Sequence, residues 1–450
     1  MKIYCDKKLS KETLMIIESS LHAVDPYQIL KNCIHCNYKQ IIVGSQTISV
    51  DNLGALHLIG FGKAVLPMAK AAVEQLNGRI TEGVLVSKHF NFLDAYEFPQ
   101  SIQILIGDHP TPTERSVIAA QTLINLLKTT KENDLVIGLI SGGASSLVTM
   151  PKIPLNINQL NQLTAALLRS GANIYEMNTV RKHLDDIKGG GLLRYIHPAF
   201  SFNLILSDVI GDDLSVIASG PTCSDPTTYK EALDIIKKYN LLEELDRKIL
   251  DVLQKGIRGE IEETVKENDP LLKKTHNEII GSLTSAALQA KQKAEELGFQ
   301  VEIYNLCIKG EAKEVGKTLA RYLIERCREI PITKKPLCII AGGETTVTVA
   351  GKGKGGRNLE LALAAAMELD GCENLQFITL ATDGEDGPTD AAGAVVDGGT
   401  LAQAKGFGLN ALDYLCDNNS YEFFDKVGGL IKTGPTGTNV NDLVFMFAYP

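Results

Sequence analysis

The sequence predicts an α/β protein in which parallel sheets are covered by helices on both faces. Short apolar runs recur along the chain, each ends in a glycine-rich or polar turn, and helical patterns separate them. Such continuous apolar runs, alternating with helices, are typical of strands buried in a parallel sheet. The chain has 450 residues, 44% of them hydrophobic, which is enough for about two or three domains.

The elements follow in order along the chain. Residues 10–31 carry apolar side chains at helical spacing and are predicted to form one helix. Five predicted strands each run into a polar loop, and they comprise residues 53–59, 135–140, 202–206, 337–340 and 377–381. Because α/β sheets bind ligands beyond the carboxyl ends of their strands, these five loops are the candidate site.

The remaining elements set the predicted domain boundary. Residues 230–276 are rich in Lys, Glu and Leu at helical spacing and are predicted to form helices between two domains. The boundary is therefore expected within residues 225–275. Further on, residues 345–349 alternate like a strand, a helix is predicted over 359–369, and residues 443–448 are predicted as a last buried strand.

Composition and charge argue against several classes of binding partner. The net charge of −9 and the low aromatic content, with no Trp, argue against a nucleic-acid partner. No apolar run approaches the ~20 residues that cross a bilayer, so no membrane partner is expected. Nine scattered Cys suit reduced thiols in the cytoplasm, and the pair Cys33 and Cys36 is expected to be two buried or half-buried thiols. We expect a cytoplasmic protein that acts on a small molecule.

Two glycine loops in the N-terminal half could hold an anion. Lys63 lies in a glycine turn at the start of a predicted helix, where it could bind phosphate or could simply be solvated. The loop that follows the second predicted strand contains Ser141, Gly142, Gly143 and Ser145. Its N–H groups could form an anion nest, or it could be an ordinary strand-to-helix turn. It lacks the G-x-S-x-G pattern of a serine hydrolase.

A predicted helix and a strand end add further candidates. Asn178 and Arg181 are one helical turn apart, which suits a bidentate grip on an anion by Arg181, whereas Lys182 and Lys188 fit a solvated helix face. Asp208 follows a predicted strand, the usual position of a carboxylate that holds Mg²⁺. The two following aspartates can act as helix caps instead. Ser219 could lie against the substrate or the nucleotide.

The C-terminal half contains a cation-rich glycine loop over residues 351–358. It satisfies G-x-G-x-x-G, but its cations favour a triphosphate over a nicotinamide, and no Walker motif occurs. Arg357 would stabilise a transferring phosphoryl group. The expected nucleotide-binding residues are Gly351, Gly353, Lys354, Gly355 and Gly356, with Thr436 and Asn439 from a late loop. The expected Mg²⁺ ligands are Asp208, Glu344 and Asp383.

Eight segments in this order resemble the glycerate kinase family whose C-terminal part is the MOFRL domain. They are GFGKA at 60–64, GDHPTPTE at 107–114, SGGASSL at 141–147, EMNTVRKHLDDIKGG at 176–190, LSDVIGDDLSVIASGPTCSDPTT at 206–228, GGETTVTVAGKGKGGRNLELALAAA at 342–366, TDGEDGPTDAAGAVVD at 382–397 and TGPTGTNVNDL at 433–443. The family often has GGGSAL where this chain has Ala144, and GGRNQE where it has Leu359.

The resemblance implies a fold and an activity. The implied fold is a larger Rossmann-like N-terminal domain and a smaller C-terminal α/β domain, with the active site in the cleft between them. We place these domains at 1–245 and 246–450, with the MOFRL segment at about 335–445. The implied activity is ATP- and Mg²⁺-dependent phosphorylation of D-glycerate, usually to 2-phosphoglycerate. The residues that the family implies for catalysis match Lys63 and Arg357.

The resulting hypothesis is direct in-line transfer of the γ-phosphoryl group of ATP to a glycerate hydroxyl. Lys63 and Arg357 would neutralise the transferring group, and Asp208 would hold Mg²⁺ or accept the hydroxyl proton. The alternative is an NAD-dependent hydroxypyruvate reductase, which draws on the glycine pattern at 351–356. The expected assembly is a monomer or a homodimer.

Overall fold

The computed structural model describes residues 3–88, 97–329 and 335–450. The chain forms two compact units, a central unit of residues 26–280 and a terminal unit that combines residues 1–25 with residues 281–450. This grouping differs from the single division predicted after residue 245. The N-terminal segment pairs and packs with the C-terminal half of the chain instead of with the sheet that follows it.

Strands occur throughout both units. In chain order they are β1 Tyr4–Cys5, β2 Ile34–Cys36, β3 Gln40–Val43, β4 Gln46–Ser49, β5 Leu56–Phe61, β6 Glu82–Ser87, β7 Ile102–Ile106, β8 Leu135–Ile140, β9 Phe200–Leu206, β10 Thr275–Gly281, β11 Gln300–Ile308, β12 Leu337–Gly343, β13 Leu375–Ala381, β14 Gly393–Asp397, β15 Leu430–Lys432 and β16 Asp442–Ala448.

Helices separate most of the long strands. In chain order they are α1 Lys11–His22, α2 Pro26–Cys33, α3 Val65–Leu76, α4 Glu114–Leu127, α5 Ala144–Leu147, α6 Ile157–Arg169, α7 Ile174–His183, α8 Leu192–Ile196, α9 Tyr229–Lys238, α10 Arg247–Ile257, α11 Leu283–Glu296, α12 Ala312–Glu329, α13 Arg357–Glu368, α14 Thr400–Gly406, α15 Ala411–Cys416 and α16 Ser420–Val427.

The central unit is built on a sheet with the strand order β10-β9-β8-β5-β6-β7. The pairs from β7 through β6, β5 and β8 to β9 are all parallel, as predicted. Counted from β5 as the first strand, this is the 3-2-1-4-5-6 order of a Rossmann-like fold, and the order reverses between β5 and β8. Both of these strands are fully buried, which explains their continuous apolar sequences.

The terminal unit contains a second, mixed sheet with the order β1-β15-β14-β13-β16-β12-β11. Only the β11–β12 pair is parallel, and the other pairs are antiparallel, so the prediction of parallel sheets is wrong for this unit. The reason is β16, the last predicted strand, which inserts between β12 and β13 in the opposite direction. Helices α12 and α13 share the hydrophobic core on one face of this sheet.

The single helix predicted over residues 10–31 is wrong. The chain forms α1 and α2, which are separated by a break before Pro26. Proline favours the first position of a helix because it lacks an N–H and its φ is fixed. The break also divides the units, since α1 packs against α11 of the terminal unit whereas α2 packs against α3 of the central unit.

Two other predicted elements differ from the structure. Residues 345–349 do not form a strand but an irregular segment, in which Thr348 donates its N–H and its hydroxyl to the Glu311 carboxylate. In the stretch 230–276, α9 and α10 are helical as predicted and pack together within the central unit. The chain beyond them is largely irregular and then enters β10.

Cys33 and Cys36 are free and half-buried, as expected. Within the three described ranges, no helix combines the length and the hydrophobicity needed to span a membrane.

Candidate active site

Lys63 stands at the point where the strand order of the central sheet reverses. It follows β5, and the backbone N–H of Lys63 donates to the carbonyl of Gly142, which follows β8 (2.9 Å). The N–H of Ala64 donates to the Ser141 hydroxyl (3.0 Å). Gly62 has a φ of 140°, and a Cβ there would meet Ser141 Oγ at 2.1 Å, so this turn requires glycine. The two predicted loops are therefore tied together.

Gly142 and Gly143 border several functional side chains. A Cβ on Gly142 would lie 2.2 Å from Asp208 Oδ2, and one on Gly143 would lie 3.1 Å from both Lys63 Cε and His109 Cδ2. The structure thus gathers Lys63, Asp208 and the loop after β8, as the sequence predicts. The Lys63 side chain is exposed, and its ammonium makes no ion pair or hydrogen bond with any described residue. We call Lys63, His109, Gly142, Gly143 and Asp208 the Lys63 cluster.

Ser145 and Ser219 also come together, with their hydroxyl oxygens 2.5 Å apart. Ala218 and Ser219 have φ values of 54° and 61°, a left-handed conformation that is unfavourable for residues with a Cβ. Two backbone hydrogen bonds stabilise the turn, because the N–H groups of Gly189 and Gly190 donate to the carbonyls of Ser219 and Gly220 respectively. The strained turn fixes the Ser219 hydroxyl beside the loop after β8.

Replacing Gly142 with alanine is expected to lower turnover at least tenfold. The added methyl group would overlap Asp208 Oδ2 and displace that carboxylate, whereas the backbone conformation itself tolerates alanine. Steady-state kinetics and the melting temperature would be measured together. The matched control is Gly406→Ala, where a Cβ meets nothing within 4 Å. Unchanged turnover in Gly142→Ala would contradict a catalytic role for the Asp208 position.

The α7 candidates occupy a different layer of the central unit. Asn178 is buried, and Arg181 lines a small cavity of about 20 Å³ together with Asp185 and Lys188. Burial lowers the pKa of Arg181, and the nearby Asp185 opposes that effect. Lys188 donates to Thr149 Oγ1 (3.2 Å), and Thr149 in turn donates to the carbonyl of Ser145. Arg181 therefore lies behind the loop after β8.

The solvated helix face predicted for Lys182 and Lys188 is wrong. Both side chains are buried, and each is neutralised by a buried carboxylate, Asp225 at 3.2 Å and Asp185 at 2.5 Å respectively. Buried charges occur in proteins mainly as such pairs, because an unpaired buried charge is strongly destabilising. Asp185 was visible three residues before Lys188, whereas Asp225, the partner of Lys182, lies 43 residues away.

In the terminal unit, Arg357 is the first residue of α13 and forms a bidentate ion pair with Asp442. Its Nε and Nη2 donate to the two carboxylate oxygens at 2.5 and 2.8 Å. Burial disfavours the charge on Arg357, but the Asp442 carboxylate outweighs this and raises the pKa of Arg357 above its usual range. In strand register Asp442 lies opposite Gly343 and Ala381. The ends of β12 and β13 therefore meet beside the guanidinium.

Three further carboxylates surround this pair. Glu344 and Asp386 act electrostatically on Arg357, and Asp383 acts on Asp442. Asp386 is fully buried and accepts the N–H groups of Asn358 (3.1 Å) and Leu359 (2.8 Å) at the start of α13. Burial raises the pKa of Asp386 to about 6, against the effect of these hydrogen bonds. Four carboxylates thus surround one cation, an environment that suits an additional positive charge.

Asp386 should give protein stability a distinctive pH dependence. Its pKa in the folded chain, about 6, is above the ordinary value of 3.8. The folded state therefore favours the protonated carboxyl, and its contribution to stability is fully present below pH ~4 and is lost as the pH rises through 6. The expected loss is on the order of 3 kcal/mol. The wild type should melt at a higher temperature than Asp386→Asn at pH 4, and this difference in melting temperature should decrease as the pH rises to 6.5.

Asp390→Asn is the matched control. The Lys432 ammonium and the Tyr421 hydroxyl hold the pKa of Asp390 below its usual range, so its contribution is present above pH ~4 and is lost as the pH falls. The corresponding difference in melting temperature should therefore change in the opposite direction. A pH-independent difference for Asp386→Asn would refute the stated protonation behaviour of Asp386.

The glycine loop 351–356 is not an open anion nest in this structure. The N–H groups of Ala350 and Gly351 donate to Asn418 Oδ1 (both 2.8 Å), and those of residues 352–354 donate to residues 417 and 419. Its glycines permit this close approach, since a Cβ on Gly351 would lie 2.2 Å from the Asp417 carbonyl oxygen. Gly355 and Gly356 connect the loop to Arg357. A Cβ on Gly355 would overlap the Ser420 hydroxyl, and a Cβ on Gly356 would overlap the Asp386 carboxylate.

The other predicted nucleotide-binding residues are dispersed around this loop. The Lys354 ammonium lies over the Tyr421 ring, 4.3 Å from its centroid. Thr436 bonds to the turn after β13, through its N–H to the Asp383 carbonyl (3.1 Å) and through its hydroxyl to the Thr382 carbonyl (2.6 Å). Asn439 accepts the N–H of Asn441. Thr436 therefore lies beside Asp383, whereas Lys354 lies beside the α16 residue Tyr421.

No group of three or more Asp, Glu, His or Cys side chains is arranged to hold a metal ion in the described ranges. Asp208 belongs to the central unit, whereas Glu344 and Asp383 belong to the terminal unit. Mg²⁺ in kinases, however, is held by one or two carboxylates together with substrate phosphates. Glu344 and Asp383, beside the surplus negative charge around Arg357, fit that mode of binding.

Sequence reasoning missed three residues of these clusters. His109 was visible only as part of the segment 107–114, Asp386 was one of four carboxylates in an apparently solvated turn, and Asp442 was the end of a late loop. The family often has a glutamine at position 359, but here Leu359 is fully buried in the core. Leucine in place of glutamine at position 359 therefore alters the packing of the core.

The whole chain is similar to proteins of known activity. The family described as "Domain of unknown function (DUF4147)" matches residues 12–254, and the MOFRL family matches residues 337–442. A D-glycerate 2-kinase of Thermotoga maritima is 39% identical, with 97% of this chain and 98% of that protein covered. A crystal structure of glycerate kinase from the same organism superimposes with a TM-score of 0.85 at 38% identity, covering 97% and 99% of the chains.

One relative bears a different name. This relative, from Agrobacterium vitis, is named as a candidate hydroxypyruvate reductase. It is 38% identical, with 87% of this chain and 86% of that protein covered.

Proposed function

The chain belongs to the glycerate kinase family with a MOFRL domain, and we propose that it transfers the γ-phosphoryl group of ATP to D-glycerate, giving 2-phosphoglycerate. The sequence similarity extends over nearly the full length of both this chain and the kinase relative from Thermotoga maritima. The choice of ATP, of Mg²⁺ and of the C2 hydroxyl goes further than this family membership and is part of the proposal.

The observation that carries the proposal is the Lys63 cluster. An exposed ammonium without a partner among the described residues stands beside two glycines and the Asp208 carboxylate, at the carboxyl ends of β5 and β8. This is the position where doubly wound sheets bind their ligands. The missing glycine side chains allow a phosphoryl group to approach the backbone, and a mobile cation such as Lys63 suits its charge.

Within this cluster the chemistry divides between a cation and a base. Lys63 neutralises charge on the transferring phosphoryl group, an effect that is strongest when water is excluded. Asp208 accepts the proton of the attacking hydroxyl. The hydroxyls of Ser145 and Ser219, which the strained turn holds together, and the N–H groups near Gly142 orient the glycerate. Arg181 lies behind that loop and contributes positive charge toward the glycerate carboxylate, and Asn178 on the same helix offers a neutral amide donor.

The terminal unit supplies the nucleotide side of the reaction. Arg357 cannot act as an isolated cation, because Asp442 already neutralises it and Glu344, Asp383 and Asp386 add negative charge. A divalent cation such as Mg²⁺, arriving with the nucleotide, would offset this local negative charge. Glu344 and Asp383 would hold the ion, which would supply positive charge to the phosphate groups. Arg357, kept in a fixed orientation by Asp442, then donates to the transferring group.

The proposal requires both units to act on one phosphoryl group. Lys63 belongs to the central unit and Arg357 to the terminal unit, so the proposal requires domain closure that brings both cations to the transferring group. Such closure is common among kinases, because it excludes water and completes the catalytic site only when the acceptor is present.

The reductase alternative rests on the glycine pattern at 351–356. That pattern serves dinucleotide binding when its backbone N–H groups and the following helix face a pyrophosphate. Here the N–H groups of residues 350–354 are engaged by residues 417–419, and those of Asn358 and Leu359 are engaged by Asp386. The loop therefore offers few free N–H groups to a pyrophosphate, which weakens the observation on which the reductase alternative rests.

The test is a direct assay of both activities with the purified full-length chain. With D-glycerate, ATP and Mg²⁺ we expect equal amounts of ADP and a phosphoglycerate, whose ³¹P NMR spectrum places the phosphate on carbon 2. L-Glycerate and a reaction without acceptor are the controls. NADH oxidation with hydroxypyruvate, in the absence of glycerate-dependent ADP release, would support the reductase alternative.

A further inference from the structure

The terminal unit contains a cavity of about 360 Å³ next to Arg357. This volume is within the range of about 300–1,000 Å³ that is typical of small-molecule sites. Its lining comes from the irregular segment after β12, the glycine loop, the first turn of α13 and the turn after β13. Its lining includes Val347, Val349, Gly355, Pro388 and Glu360.

The cavity is unsuited to an anion. The N–H groups of Asn358 and Leu359, which would attract a phosphate to the start of α13, are taken by the buried Asp386 carboxylate. Glu360 lines the cavity, is only 1% exposed, and has a pKa raised by burial. Its Oε1 accepts the Asn418 amide at 2.7 Å, whereas its Oε2 has no hydrogen-bond partner in the described structure. An orphaned buried oxygen indicates a missing donor.

The walls suit a flat, neutral ring. Val349 is 75% exposed although it is apolar, and it lines the cavity together with Val347 and the glycines of the loop. A planar group in the cavity can lie against the loop backbone and the apolar valine side chains. A donor on the edge of such a ring would satisfy the Glu360 carboxyl.

We propose that this cavity takes the base of a purine nucleotide, whose exocyclic amine donates to Glu360 while its phosphates extend toward Arg357. The inference rests on the proposed function, because a kinase of this kind needs a nucleotide donor. It adds the location of the base, and it assigns selection of the base to Glu360 and to the valine wall. Asn418, which engages the glycine loop, also lines the cavity and donates to Oε1 of Glu360, so the amine of the base would meet the unpartnered Oε2.

The binding test compares ATP with inorganic triphosphate, which lacks the base. Isothermal titration with the full-length chain and Mg²⁺, without glycerate, would give both dissociation constants for the wild type, for Val349→Asn and for the matched control Leu412→Asn. Leu412 is likewise apolar and exposed in the terminal unit. We expect Val349→Asn to weaken ATP binding about tenfold, to leave triphosphate binding unchanged, and Leu412→Asn to change neither constant.

A second variant tests the polar contact. Glu360→Gln should reduce the preference for ATP over purine riboside triphosphate, which lacks the exocyclic amine, at least fivefold. Unchanged ATP binding in Val349→Asn together with an unchanged preference in Glu360→Gln would overturn the proposal, as would equal wild-type affinities for ATP and triphosphate. ATP binding with the expected variant effects, but without glycerate phosphorylation, would reject the proposed function and leave the base site standing.

Discussion

Replacing Lys63 with alanine is expected to lower turnover about a hundred- to a thousandfold, with little change in stability. The loss corresponds to removing one charged donor from the transferring group, an effect of about 3–4 kcal/mol in other enzymes. Because the Lys63 side chain is exposed and its ammonium bonds to no described residue, the fold does not depend on it. The backbone N–H of residue 63, which ties β5 to Gly142, is retained.

Turnover at saturating glycerate and ATP, together with the melting temperature, measures this effect. Lys237→Ala is the matched control, since Lys237 is an exposed lysine of the central unit that pairs with Asp234. Its removal should cost less than 1 kcal/mol and leave turnover unchanged. Near-wild-type turnover in Lys63→Ala would exclude this lysine from the mechanism and remove the observation that carries the proposed function.

Replacing Arg357 with alanine is expected to lower both turnover and stability. Turnover should fall about a thousandfold, because a fixed bidentate donor to the transferring group is lost. Stability should also fall, by about 3 kcal/mol, because Asp442 would remain as an unpaired carboxylate whose side chain is only 8% exposed. The double variant Arg357→Ala/Asp442→Asn removes that unpaired charge, so it should recover stability while remaining inactive.

The matched control for this pair is Arg321→Ala. Arg321 forms a fork with Glu368 that resembles the Arg357 pair, but its side chain is 61% exposed. Its loss should leave both stability and turnover nearly unchanged, because exposed ion pairs contribute little. If the double variant regained turnover along with stability, Arg357 would have only a structural role, through the folding of the terminal unit.

The sequence predicted well those features that depend on local pattern. Apolar runs ending in glycine turns located β5, β8 and β9, and strand-end reasoning brought Lys63, Gly142 and Asp208 together. That reasoning succeeds because parallel neighbours end at the same edge of a sheet. Where a strand enters from far along the chain, as β16 does between β12 and β13, no local pattern shows that the sheet is mixed.

Partners distant in sequence explain the remaining differences. Asp442 lies 85 residues from Arg357, so the ion pair that orients the guanidinium was not visible in the cation-rich loop. The same loop was predicted to bind a nucleotide, yet Asn418 and its neighbours engage most of its N–H groups. The glycine pattern was recognised, but a glycine that admits a ligand and one that admits another chain segment have the same sequence signature.

The most direct test of the central claim is a crystal structure with D-glycerate, Mg²⁺-ADP and a metal fluoride that mimics the transferring phosphoryl group. The account predicts that the Lys63 ammonium and the Arg357 guanidinium both donate to the mimic, at about 2.7–3.2 Å. A complex in which the mimic contacts only one of these two cations, with the other directed away from it, would contradict the account.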